Sequence, residues 1–197
     1  FKRDCLEVEL DVGGRPLPLF LAHLKSMNGG KNGQNGRDYT MPVRVAEAAA
    51  IRRIIENKFG RDKAAERNWA ICGDLNDYRE RIVITGDEFD GFRFDHVREE
   101  RSGIDPLLAD GFCVNVVERL PEKERWTLYH TRGPEERHLC QLDYILLSPA
   151  LAARNERRKP DIIRQGQPFR TVIPPGQEPN RFPRIGWDRP KASDHCP

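Results

Sequence analysis

The sequence predicts a mixed α/β (α+β) fold, and three observations lead there. Residues 6 to 12 alternate strictly, with Leu6, Val8, Leu10 and Val12 against Glu7, Glu9 and Asp11, the period-two pattern of a half-buried strand. Ile51, Ile54, Ile55 and Phe59 recur at helical spacing and share one helix face. The apolar run "CQLDYILLS", residues 140 to 148, ends at Pro149 and reads as a buried strand. Many strands with a few helices place the chain in the α/β or α+β class.

The elements follow in order. Gly13-Gly14 separates the first strand from "PLPLFLA", so the two read as a β-hairpin whose second strand runs into His23. Residues 26 to 42, "SMNGGKNGQNGRDYTMP", are rich in Gly and Asn and read as a loop, either a plain connection or a substrate-binding lid. A helix should start just after Pro42 and stop at Gly60. "NWAICGD" is a short buried strand over 68 to 73, ending at Asp74. Residues 77 to 111 carry mixed signals, with a short helix at "IDPLLADG". "FCVNVVERL" and "WTLYH" read as strands around the charged turn "PEKER". Seven prolines between Pro160 and Pro190 make residues 152 to 191 a long, largely irregular segment.

Composition narrows the class. A chain of 197 residues can bury one sizeable core or two small ones, and 38% hydrophobic with 32% charged residues describes a folded protein rather than a disordered one. No apolar run approaches the ~20 residues needed to span a bilayer. The net charge of +2 neither demands nor excludes a nucleic-acid partner. Five widely spaced cysteines without a CxxC pair argue against a thiolate zinc site. They fit buried free thiols in a reducing, cytoplasmic setting. Trp69 and Trp126 belong to strand-like runs and should be core, and Trp187 should pack beside the last motif. "ARNERRKP" reads as a solvated helix end, and Cys196 as buried structure.

Four stretches pair an apolar strand with chemically capable residues at its end: "LFLAHLKS" with His23, Lys25 and Ser26; "AICGDLND" with Asp74, Asn76 and Asp77; "CQLDYILLS" with Asp143; and "ASDHCP" with Asp194 and His195. Strand ends present side chains rigidly into a shared cleft. Each residue alone is weak evidence, since an isolated Asp is more often a turn former and an isolated His a hydrogen-bonded one. Asp143 is less bland, because a carboxylate inside an apolar strand needs a partner or a metal. Together the groups are oxygen and nitrogen donors without thiolates, a set that suits Mg2+ or Mn2+ and attack on phosphorus.

"HLKS", "GDLND", "LDYILLS" and "SDHCP" occur in the order and approximate spacing of the endonuclease/exonuclease/phosphatase superfamily, the deoxyribonuclease-I-like fold, which this chain resembles. "RVAEAAAIRRII" is similar to that family's Arg-x-x-x-Ala segment. The resemblance implies a four-layer α/β/β/α sandwich and a divalent-metal-dependent phosphoester hydrolase, with DNA or RNA as the first substrate class. Phosphatase and lipid phosphodiesterase activity belong to the same superfamily. By resemblance, Asp74 activates or positions the attacking water and Asn76 holds the phosphate or orients that water. His195 binds the phosphate and stabilises the pentacoordinate transition state, and Asp143 fixes its tautomer. Asp194, with Asp74 and Asn76, serves the metal. His23 contacts the scissile phosphate, and Lys25 adds a phosphate contact.

The family's pattern also has an upstream strand ending in Asn and another carrying a metal-binding Glu, both ahead of a hairpin like residues 5 to 22. The expectation is therefore a single, N-terminally truncated domain, inactive by itself, whose principal Glu ligand lies outside this chain. A member that binds nucleic acid or protein without catalysis is the competing class.

Overall fold

The structure is a computed structural model, and it describes residues 4–30, 35–132, 136–188 and 193–196. It is a mixed α/β arrangement of two sheets and few helices. Among the described residues no helix is long and apolar enough to cross a membrane.

Strands β1 (Cys5–Asp11) and β2 (Pro16–Ala22) form the expected antiparallel hairpin, with Cys5 opposite Ala22 and Asp11 opposite Pro16. Gly13 and Gly14 take positive φ at its turn, where Asp11 Oδ1 accepts from the Gly14 amide at 2.7 Å. Strand β1 is less buried than expected: Glu7, Glu9 and Asp11 are exposed, and only Cys5 and Val8 are half-buried. Leu6, Leu10 and Val12 are exposed. Helix α1 (Gly36–Phe59) lies on the other face, where Lys58 Nζ sits 2.7 Å from Glu7 Oε1. The polar row of this edge strand thus faces the helix.

The chain then crosses over through α1 to β3 (Ala70–Asp74), parallel to β2. Helix α1 begins at Gly36, six residues before Pro42, and not after it as the sequence suggests. The Asn35 side chain caps it by accepting from the Arg37 amide at 2.8 Å, and Pro42 sits inside it. The lost proline hydrogen bond is offset by the buried anchoring of Arg37, Thr40, Met41 and Arg44. Ile51 and Ile55 are fully buried against Phe20, Ile71 and Leu146, whereas Ile54 is exposed. Gly60, at φ 85°, ends the helix as expected. Residues 31–34 of the Gly/Asn-rich loop lie outside the described residues.

The first sheet has the order β1-β2-β3-β9-β6, where β6 is Val114–Asn115 and β9 is Asp143–Leu147. The second is β5-β4-β8-β7: β4 (Glu80–Asp87), β5 (Gly91–Arg98), β7 (Leu128–Thr131) and β8 (Arg137–Cys140). The β4–β5 hairpin lies in the stretch of mixed signals, because its side chains are largely charged and half-exposed. Two other strand expectations are corrected. "FCVNVVERL" supplies only β6 and then turns into a 3-10 helix, Val116–Arg119, capped by the Asn115 side chain. "CQLDYILLS" is not continuous: Cys140 ends β8 in the second sheet and Asp143 starts β9 in the first. Pro149 does more than stop β9, since it opens helix α3 (Pro149–Arg154). Asp105–Leu108 forms the expected short helix, α2, and the described part of the later segment is irregular.

The main core joins α1, α2 and one face of the first sheet around Trp69. Ile82, Ile84, Trp126, Leu139 and Cys196 form a second cluster on the other sheet, where Ile162, Val172 and Ile173 of the irregular segment pack. Trp69, Trp126 and Cys196 are buried as expected, and the five cysteines are free. Trp187 is 63% exposed, so it does not pack as the sequence suggests. Its carbonyl accepts from the Arg170 amide.

Candidate active site

The ends of β2, β3 and β9 are tied together by main-chain hydrogen bonds. Leu24 N donates to Asp74 O at 3.0 Å, and Leu75 N donates to Leu142 O at 2.8 Å. Gly73, at φ 143°, permits the close approach of β2, since a Cβ there would lie 2.0 Å from Ala22 O. His23, Asp74 and Asp143 thereby come to one edge, and Asp74 pairs directly with Asp143 in the β3–β9 register.

The loop after β3 is tightly folded. Asn76 has φ 51°, an uncommon left-handed conformation for a residue with a side chain. Its amide N–H donates to Asp74 Oδ1 at 2.9 Å, and its Nδ2 donates to Asp74 Oδ2 at 3.0 Å and to Leu24 O at 3.2 Å. His23 Nε2 lies 3.4 Å from Asp74 Oδ2. Asp74 has its pKa raised, chiefly by burial, with the Asp143 carboxylate adding to the rise and the Asn76 amide, His195 and His23 opposing it.

His195 arrives from the far end of the chain. Its Nδ1 is 2.9 Å from Asp143 Oδ2 and 3.1 Å from Oδ1. That contact is the largest cause of a raised His195 pKa, against burial, with Asp143, Asp74 and Asp194 adding their charge. Thr127 aligns both members of the pair. Its Oγ1 accepts from Leu142 N and Asp143 N at 3.0 and 3.1 Å, and its carbonyl accepts from Cys196 N at 2.7 Å.

Asp77 plays a different part from its neighbours in the motif. It is fully buried. Its Oδ1 accepts from Arg37 Nε at 2.7 Å, and its Oδ2 accepts from Arg44 Nε and Gly103 N, each at 2.8 Å. Arg44 also donates to Lys25 O at 3.2 Å, so the ion cluster fastens the loops after β2 and β3 to α1. Lys25 Nζ donates to the carbonyls of Ser26 and Asn28, at 2.8 and 2.9 Å, and so braces its own loop. Asp194 and Asn76 line a cleft of about 600 Å3 beside His195, together with Tyr78, His130 and His138.

Asp74, Asp143 and His195 bring three potential ligand atoms within 4.8 Å of one another. Asp74 and Asp143 are each paired with a histidine, and these oxygen and nitrogen donors are of the kind that could hold a hard divalent cation. Glu80, His96 and Glu122 form a second such group. There Arg125 and Arg98 already bind the two carboxylates, at 3.2 and 2.8 Å. The sequence reading singled out the residues of the first group and missed Arg37, Thr127, His130 and His138. Only Arg44 had a signal, the Arg-x-x-x-Ala segment.

No family model and no curated protein sequence matches the chain. Among solved structures the chain is similar to sphingomyelinase C from Streptomyces griseocarneus, at 18% identity and a TM-score of 0.41. The similarity covers 73% of this chain and 41% of that one, so the chain spans less than half the length of this structure.

Proposed function

We propose that this chain carries the catalytic residues of a divalent-metal-dependent phosphodiester hydrolase, with water attacking phosphorus in line. One observation supports the reading above others: the Asp143–His195 pair faces a second carboxylate, Asp74, whose own partners are an amide and a histidine. The four-layer sandwich and the nucleic-acid substrates expected from the sequence belong to this reading.

The residues divide the work. Asp74 is held in place by Asn76, which suits its carboxylate to orient the attacking water and take its proton as the new P–O bond forms. Asp143 holds His195 through Nδ1, which leaves Nε2 for the substrate and favours the protonated ring. An imidazolium there donates to a non-bridging phosphate oxygen as negative charge builds in the pentacoordinate state. His23 contacts the phosphate from the Asp74 side. The leaving oxygen departs with the bonding pair as the P–O bond to it breaks. A divalent cation held by Asp74, with Asn76 and Asp194, would neutralise phosphate charge.

His195→Ala in the full-length protein tests the assignment. Hydrolysis of bis-p-nitrophenyl phosphate should fall at least a hundredfold with the circular dichroism spectrum unchanged. Undiminished turnover in the variant would remove His195, and the reading with it.

A further inference from the structure

The cleft beside the catalytic groups contains a ladder of planar side chains that the proposed chemistry does not use. The Arg37 guanidinium lies 4.5 Å from the centre of the Tyr78 ring. Tyr78 lies 5.7 Å from the His138 ring, tilted by 57°. His138 stacks on His130 at 4.7 Å with an angle of 30°. The ladder starts at the buried Asp77 cluster and ends at His130, whose side chain is 25% exposed. All four residues line the same cleft as Asn76 and His195.

The cleft has the size of a group larger than phosphate. Its volume of about 600 Å3 falls in the range of small-molecule sites. Because it opens beside Asn76 and His195, a group bound there belongs to the same molecule as the phosphorus under attack. The apolar contribution is small, from Met27, Leu128 and Leu142, which does not suit an acyl chain. Arg81 and Arg132 lie beside the two histidines. Burial, then His130 and the positive field of Arg81, Arg132 and Arg37, push His138 down to about 3, so its ring is neutral at pH 7. His130 is lowered too, first by burial. Carboxylates line the cleft as well, with Glu136 Oε1 3.4 Å from His130 Nε2 and Asp194 beside His195. The stack offers a heteroaromatic ring a π-face, and Arg132 offers a neighbouring phosphate a cation.

We propose that His130, stacked on His138 within this cleft, is the platform for a nucleobase next to the scissile phosphate, with Arg132 beside it for the adjoining phosphate. The inference rests on the reading of the site as a phosphodiester hydrolase and deepens it by giving the substrate's base a place at His130.

Three diesters with one leaving group test it: thymidine 5′-(p-nitrophenyl phosphate), methyl p-nitrophenyl phosphate and p-nitrophenyl phosphorylcholine. The full-length protein with Mg2+ should prefer the thymidine ester over the methyl ester by roughly tenfold in kcat/KM, as one stacked base can provide. His130→Ala should lose that preference while hydrolysing the methyl ester unchanged, and His130→Phe should restore it. Equal rates on thymidine and methyl esters, a preference for the choline ester, or a preference that survives His130→Ala would each overturn the proposal. Should none of the esters be hydrolysed, the chemical reading fails, and the subsite is then judged by binding of thymidine 3′,5′-bisphosphate in calorimetry. Binding lost in His130→Ala and kept in His130→Phe would support the platform, and no binding to the parent protein would refute it.

Discussion

Asp143 and His195 are separated by 52 positions in the chain, yet the carboxylate of one lies 2.9 Å from Nδ1 of the other. The carboxylate comes from the first residue of β9, and the imidazole from a segment bridged to Leu128 of the second sheet. The pair therefore joins the two sheets at the point where chemistry is proposed. Asp143→Asn keeps the shape and removes the charge that favours the imidazolium. The expected result is a loss of kcat on the order of 10²- to 10⁴-fold, with KM changed far less. Steady-state kinetics on bis-p-nitrophenyl phosphate checks it, and an unchanged kcat would refute the pairing's role.

Thr127 sits behind this pair as a positioning residue. Its hydroxyl receives the amides of Leu142 and Asp143, and its carbonyl receives that of Cys196. Thr127→Val leaves two buried N–H groups without an acceptor and frees the start of β9. Small displacements of catalytic groups are costly, so kcat should fall on the order of 10- to 100-fold. Thr127→Ser supplies the same oxygen and should restore most of the rate. Equal rates in the Val and Ser variants would show that the hydroxyl does not set the geometry.

The ion cluster under the loop after β3 concerns stability. Asp77 is fully buried between two guanidiniums. Asp77→Ala takes from Arg44 its carboxylate partner and leaves Arg37 with Glu99 at 3.2 Å, and breaking a buried pair in this way costs roughly 3–5 kcal/mol. Urea unfolding of the variant against the parent protein measures the loss. A change below about 1 kcal/mol would mean that the cluster behaves as a surface ion pair does.

His138 makes stability depend on pH. In the folded chain its pKa is lowered from 6.5 to about 3, first by burial, then by His130 and by Arg81, Arg132 and Arg37. Between those values the unfolded chain binds a proton that the folded chain refuses. The contribution is thus intact above about pH 6.5 and declines as pH falls towards 3, at up to ~1.4 kcal/mol per unit. His138→Phe should flatten the acid side of the stability profile. Unfolding midpoints at several pH values would show it, and parallel profiles for the two proteins would contradict the assignment.

Much of this was legible in the sequence, and the exceptions have physical causes. The hairpin was readable because a strict alternation and two glycines leave few other structures open. Its direction was not, because alternation does not say which face a helix will cover, and here Lys58 pairs with Glu7 on the polar row. The start of α1 was hidden by Pro42 and a run of Gly and Asn. Only the tertiary anchoring of Arg37 and Arg44 on Asp77 makes helix the better state there. The break between Cys140 and Asp143 was invisible in an unbroken apolar run, since both halves are buried in different sheets. Among the candidate site residues, Asp74, Asn76, Asp143, His195 and His23 are brought together by the fold. Lys25 is turned to its own loop. Thr127, His130 and His138 could not be picked out, because their parts depend on contacts across sheets rather than on spacing.

The most direct measurement is hydrolysis of bis-p-nitrophenyl phosphate by the full-length protein, titrated with Mg2+ and Mn2+ after chelation, beside an Asp74→Asn variant of equal thermal stability. The proposed chemistry requires turnover that appears with the cation, disappears on chelation and falls at least a hundredfold in the variant. Turnover that ignores the cation and survives Asp74→Asn would contradict the account, as would no turnover by a folded parent protein on this diester, p-nitrophenyl phosphate and plasmid DNA alike.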